Sequence, residues 1–329
     1  MYQYEDAKRR LQEVKIENGA ITLIEFVPAG TPEPVFGIPL GNIPEHCRIC
    51  ITLKPSPKSN IIVEVWLPVS EWNGKYLGTG NGGSAGQIDK FSLMKGVMRG
   101  YAVANTDMGT APDPDDLIGD PERWADFGYR STHLMTVTAK QLIEAFYGMP
   151  PKHSYFMGGS TGGQQALMEA QRYPEDYDGI IAAAPANNRT HLHIAFIWNW
   201  LALTRNPNAA INREQATKIT KLIVDHYGKD SGGAPGDMFL SYPDRVDVDI
   251  NIFKERMEEL GLNPDQIEAL AKNLKGPVNP VTGERIYYPL VVPGSENMSL
   301  GFPEQSDKEK FAKDFFYLFR WIFGKDFDF

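Results

Sequence analysis

Apolar positions in the first half of the chain fall into two alternating rhythms. Ile61-Ile62-Val63-Glu64-Val65-Trp66 is rich in β-branched and aromatic side chains, and Asn73-Gly74 suits a tight turn before Lys75-Tyr76-Leu77. Together they predict an antiparallel hairpin that opens a sheet. Tyr101-Ala102-Val103-Ala104-Asn105 follows as a short buried strand. Over Thr132 to Tyr147 the period lengthens, with Leu134, Val137, Leu142 and Phe146 at helical spacing until Gly148 and the Pro150-Pro151 pair. Ser154 to Met157 then reads as strand, Gly163 to Tyr173 as helix, and Gly179 to Ala184 as a second apolar strand. Strand and helix alternating at this interval predict an α/β fold with a parallel sheet covered on both faces.

After Pro185 the strand rhythm stops. Asn212 to Tyr227 is amphipathic, and Asn263 can cap a helix that starts with Pro264 and runs to Leu274 before Gly276. Ser306 with Glu309 forms a capping-box pattern ahead of Phe311, Phe315, Leu318 and Phe319. These features predict a core over residues 1–187, a helical or irregular insertion over 188–303, and a returning helix over 304–329.

Composition narrows the function classes. The chain has 329 residues, 42% hydrophobic and 23% charged, which suits a folded globule. Its 33 Lys and Arg against 42 Asp and Glu leave a net charge of −9, the wrong sign for gripping nucleic acid or an anionic membrane surface. No apolar run reaches the roughly 18 residues of a membrane span, and the start MYQYEDAKRRLQEVK has no signal-peptide core, so the sequence as given reads as cytoplasmic, or as secreted if an export signal has been removed. Cys47 and Cys50 share C-x-x-C spacing, but a zinc site needs two further ligands and His46 supplies one. In an extended segment side chains three apart face opposite ways, so packing thiols are expected, one inward and one outward.

Gly158-Gly159-Ser160-Thr161-Gly162 is a G-x-S-x-G motif between an apolar strand and a helix, where it makes a nucleophile elbow. Flanking glycines remove the Cβ atoms that a sharp strand-to-helix turn would bring into collision, leaving the serine Oγ exposed above the sheet. The Thr161 peptide N–H and the helix N-terminus supply positive potential where an oxyanion would form. Gly78-Thr79-Gly80-Asn81-Gly82-Gly83, after an earlier strand, lies where such hydrolases place the second donor, which points to Gly82 or Gly83. A phosphate-cradling reading of this loop fails, for no G-x-x-x-x-G-K-S/T pattern is present.

These residues, with the stretches at 47–86, 100–110, 126–143, 155–188 and 282–296, closely resemble the tannase and feruloyl esterase family. The resemblance implies an α/β-hydrolase-type, mostly parallel sheet with a lid inserted after the sixth strand, incomplete at its C-terminal edge. It implies a serine carboxylesterase that cleaves galloyl or hydroxycinnamoyl esters, with Ser160 as nucleophile and Thr161 and Gly82 or Gly83 as oxyanion donors. Three departures stand out. Gly159 occupies the position of a family cysteine that is disulfide-bonded beside the catalytic histidine. The stretch YGKDSGGAPGDMFLSYPDRVD keeps acidic groups but lacks the D-x-x-D-G-x-x-D-G spacing of the family's calcium loop, so no cofactor is expected, with calcium in the lid the alternative. The family's catalytic Asp and His follow the lid, and they are expected beyond Phe329, leaving this chain alone with little turnover. His191, His193 and Trp198 are candidates for the substrate pocket, and His133 for a hydrogen-bonded structural role. Two alternatives remain: a non-catalytic binding module, and a split or oligomeric hydrolase completed by another chain, which the aromatic run from Phe315 to Phe323 would favour.

Overall fold

The structure, a computed structural model, describes residues 2–32, 41–300, 311 and 315–327. The chain divides into two compact units, Met1–Asn187 with Arg320–Asp326, and Asn188–Phe319 with Phe327–Phe329.

The first unit is built on seven strands: β1 (Gly19–Val27), β2 (His46–Leu53), β3 (Ile61–Pro68), β4 (Lys75–Thr79), β5 (Ala102–Thr106), β6 (His153–Ser160) and β7 (Gly179–Pro185). They lie in the order β1-β2-β3-β5-β4-β6-β7. The first three form an antiparallel meander, β3 is antiparallel to β5, and β5, β4, β6 and β7 run parallel. This is an α/β fold with a mixed, mostly parallel sheet.

The hairpin expected at Asn73-Gly74 does not form, because β5 lies between β3 and β4. β3 is buried on both faces, with Ile61, Val63, Val65 and Leu67 in one core and Trp66 in another, and its register seats it between β2 and β5. Asn73 instead makes a tight local turn, its Oδ1 accepting the Lys75 N–H at 2.9 Å. Its own N–H and Nδ2 donate to the Gly100 and Arg99 carbonyls just before β5.

Helices flank the sheet unevenly. On one face α1 (Tyr2–Gln12), α4 (Ser131–Tyr147) and α5 (Thr161–Arg172) bury Leu11, Met135, Leu142, Ile143 and Ala166 against Val63, Val65, Tyr76 and Phe156. On the other, α2 (Lys90–Val97) packs Leu93, Met94 and Val97 on Trp66 and Val103. That cover stops short of β6 and β7: Met157 and Ile181, paired in register, are 42% and 59% exposed. The expectation of a sheet covered on both faces thus fails over these two strands. The alternation of β2 places Cys47 in the core and Cys50 half-buried, both free, and burial pushes the Cys47 thiol up to about 12.

Between β5 and α4 a one-turn helix α3 (Pro121–Ala125) leads through a π-helical turn, Asp126–Arg130. The last described helix, α12 (Tyr317–Phe323), brings Trp321 edge-on to Phe127, with its Nε1 donating to the Pro114 carbonyl at 2.7 Å, and Arg320 donates to Asp115 at 2.6 Å. Of the aromatic run, Phe316, Tyr317 and Trp321 are buried, while Phe315, Ile322 and Phe323 are 43%, 52% and 58% exposed. The predicted helix start at Ser306 and Glu309 lies outside the described residues.

The second unit contains no strand among its described residues. It comprises α6 (Arg189–Thr204), α7 (Arg213–Tyr227), α8 (Asn251–Glu255), α9 (Met257–Leu260), α10 (Pro264–Lys275) and α11 (Glu296–Ser299). Asn212 and Asn263 close capping boxes with Gln215 and Gln266, each contributing about 1 kcal/mol. Ile219, Ile223, Phe253, Leu270 and Val291 form its core. No helix among the described residues is long and apolar enough to cross a membrane.

Candidate active site

β6 ends at Ser160 and α5 begins at Thr161 with no intervening residue. The reversal is accomplished within Ser160, whose φ of 58° and ψ of −116° are unusual for a residue with a Cβ and store about 1–3 kcal/mol of strain. The pairing with β7 slips after Gly159, and the Ser160 carbonyl accepts the Ala186 N–H at 2.8 Å. The side chain is left exposed and does not cap the helix.

Three glycines hold this turn against the loop after β4. A Cβ on Gly158 would stand 2.4 Å from the Gly162 backbone, one on Gly80 would stand 2.4 Å from the Gly162 Cα, and one on Gly162 would stand 3.0 Å from the Gly80 Cα. Elbow and loop therefore touch main chain to main chain. Gly159 differs, since its nearest neighbour, the Ala183 carbonyl oxygen, is at an ordinary 3.7 Å.

Hydrogen bonds lock the same contact. Gly162 N–H donates to the Asn81 carbonyl at 2.7 Å, Thr161 Oγ1 donates to the Gly83 carbonyl at 2.6 Å, and Asn81 N–H donates to Gln165 Oε1 at 2.9 Å. Asn81 Nδ2 reaches the Thr106 carbonyl at 2.8 Å, and Thr110 Oγ1 donates to the Ser84 carbonyl at 2.6 Å. With the Asn81 N–H committed, Gly82 and Gly83 are the next peptide groups along the loop.

Asp107 accepts from the N–H groups of Ile62 at 2.9 Å and Gly109 at 2.8 Å, a loop-fixing arrangement. Burial pushes its carboxyl up to about 6, partly offset by those two donors. The histidines of the first unit are engaged away from the elbow. His46 Nδ1 pairs with the Pro44 carbonyl and its ring stacks on Trp66, while His153 begins β6 at the end opposite Ser160. His133 Nδ1 lies 2.7 Å from Asp176 Oδ2. In the second unit, His191 is exposed beside Asn188, and His193 is buried among Phe196, Tyr317 and Phe319. Desolvation, with the Arg189 charge, pushes the His193 imidazole down to about 3, so it is a neutral packing group. Trp198 Nε1 donates to the Lys272 carbonyl at 2.8 Å, anchoring α6 to α10.

Sequence reading missed Gln165 and Glu169. Both lie on the buried stripe of α5 with Gly162 and Ala166. Polar residues recurring where an amphipathic helix should be apolar were the available signal.

A strand-to-helix elbow bearing an exposed serine, on a mixed α/β sheet with a glycine loop at the adjacent strand end, defines an α/β-hydrolase-type core. The comparisons narrow the class: residues 47–314 match the family described as tannase and feruloyl esterase, and the chain belongs to that family. It is 35% identical over 265 residues to a protein of Xanthomonas campestris pv. campestris named an uncharacterized esterase, spanning 80% of this chain and 46% of that one. It is 30% identical over 322 residues to a probable feruloyl esterase B of Aspergillus clavatus, spanning 92% and 59%. The crystal structure of an esterase from Aspergillus oryzae superposes with a TM-score of 0.84 at 25% identity, over 100% of this chain and 66% of that one. The chain thus spans about half the length of the curated relatives it matches.

Proposed function

We propose that the protein is a serine carboxylesterase that hydrolyses esters of phenolic acids, galloyl or hydroxycinnamoyl, through an acyl-enzyme. The observation that carries this reading is Ser160, exposed at a strained elbow whose backbone is fixed against the glycine loop. Ser160 Oγ attacks the ester carbonyl carbon. The resulting oxyanion is held by the Thr161 N–H and by Gly82 or Gly83, where the α5 N-terminus adds positive potential. Collapse expels the alcohol and leaves the acyl group on Oγ, and water then hydrolyses that ester by the reverse arrangement.

Oγ must lose its proton to attack, and His46, His133 and His153 are engaged away from the elbow. The activating imidazole and its carboxylate are proposed to come from residues outside these 329. The substrate class rests on the family and on relatives named as feruloyl esterases.

The test is hydrolysis of methyl ferulate and methyl gallate, with fluorophosphonate labelling, by residues 1–329 and by the full gene product. Labelling of the full product that disappears in Ser160→Ala supports the nucleophile. Ser160-dependent turnover by residues 1–329 alone overturns the external base. Phenolic binding that survives Ser160→Ala, without labelling of either form, replaces the esterase with a binding module.

A further inference from the structure

A second group of chemically competent side chains lies in the same unit, away from Ser160. Glu169 is on the inward stripe of α5, Asp176 precedes β7 at the opposite end of the sheet from the elbow, and His133 is in the first turn of α4. One ligand atom from each falls within 4.8 Å of the others. His133 Nδ1 and Asp176 Oδ2 are 2.7 Å apart, and the His133 ring is clamped by stacking on Tyr173 with centroids 3.9 Å apart. Lys140 Nζ donates to the Asp176 main-chain carbonyl, and Thr136 bonds the Tyr177 hydroxyl beside the cluster.

Glu169 is the unexplained member. It is 0% exposed, and neither carboxylate oxygen meets a donor among the described residues; the neighbouring Asp176 carboxylate can bond it only through a shared proton. An orphaned buried carboxylate is among the most unfavourable groups a core can hold. Lys140 offsets one of the two acids. The other requires either a bound proton or a cation.

We propose that His133, Glu169 and Asp176 form a binding site for a divalent transition-metal ion of the zinc type. An imidazole with two carboxylates suits such an ion and disfavours calcium or magnesium, which take oxygen ligands. Ligand atoms about 2.0–2.2 Å from a tetrahedral ion lie roughly 3.3–3.6 Å apart. Entry therefore opens the His133–Asp176 contact slightly and closes the other separations, all within 4.8 Å, by small side-chain rotations. The His133 side chain keeps 30% exposure, which gives the ion a path from solvent.

The rival occupant is a proton. Burial and the neighbouring Asp176 carboxylate push the Glu169 carboxyl upward, and the two acids can share one proton. Glu169→Gln separates the two readings, since it mimics the neutral acid but is a poor ligand. EDTA-treated, dialysed protein is titrated with Zn2+ by calorimetry, and with Co2+ by visible absorption. One ion per chain is expected, with a raised melting temperature. Glu169→Gln and His133→Ala should bind more than about 100-fold more weakly, beyond the roughly 10–100-fold that loss of an outer-shell partner brings. Ca2+ should not compete. Absence of Zn2+ binding to the wild type, or binding unchanged in a folded Glu169→Gln, overturns the site and leaves the shared proton. The test does not depend on esterase activity.

Discussion

Gln165 Oε1 accepts the Asn81 N–H at 2.9 Å, joining the elbow helix to a loop 84 residues earlier in the chain. The other end of the same amide donates to Thr132 Oγ1 at 2.9 Å, so one side chain ties α5, α4 and the glycine loop together. Gln165→Leu leaves the buried Asn81 N–H unpaired, at about 1–3 kcal/mol, and frees the loop to drift. On the proposed esterase reading, the expected outcome is a kcat on methyl ferulate lowered about 10- to 100-fold with KM little changed. Gln165→Glu keeps the acceptor for Asn81 and should lose less. Equal loss in both variants would refute a role through Asn81.

The two glycines before Ser160 should respond oppositely to a single added methyl. Gly158→Ala forces a Cβ to 2.4 Å from the Gly162 main chain, which cannot move without displacing the elbow. Destabilisation at or above the roughly 1–3 kcal/mol of ordinary overpacking is expected. Gly159→Ala meets nothing closer than 3.7 Å and should change stability by less than about 0.5 kcal/mol. Urea denaturation of the pair measures both.

His193 should make the protein acid-sensitive. Its folded value of about 3 lies below the ordinary 6.5, so the unfolded chain binds the proton more readily. This group's contribution is complete above pH 6.5 and is lost as pH falls toward 3, by at most about 1.4 kcal/mol per pH unit. Replacing it with leucine, which cannot charge, should flatten the stability profile between pH 6.5 and 4. A variant with the wild-type slope in thermal unfolding would rule this out.

Met157 and Ile181 form an apolar pair on the side of β6 and β7 that no described helix covers. Among the described residues β7 pairs on one side only, and apolar surface beside such a strand invites association. Ile181→Lys should reduce concentration-dependent light scattering at neutral pH with little change in unfolding midpoint. Unaltered scattering would show that the pair is not the sticky surface.

Local chemistry made much of this molecule readable. The helix from Ser131 to Tyr147 ends where Gly148 turns left-handed at φ 76°, and Asn263 with Pro264 marks the start of α10, because capping and glycine effects act within a few residues. The elbow was legible for the same reason: a strand, a glycine-flanked serine and a helix are contiguous. Strand order was not. Asn73-Gly74 satisfies every local rule for a hairpin, yet β5, more than twenty residues later, enters between the strands it would have joined. Gln165 escaped because its partner Asn81 is brought to it only by the sheet, and Glu169 because its neighbour His133 comes from a different helix.

Gly80, Gly158 and Gly162 are chosen by volume alone, for at each a side chain of any chemistry would meet main chain. Drift in the sequence can therefore neither tune nor enlarge the notch beside Ser160 from those positions. Descendants of this protein that acquire new preferences must do so by altering residues that surround the notch, while its three bare α-carbons are inherited unchanged.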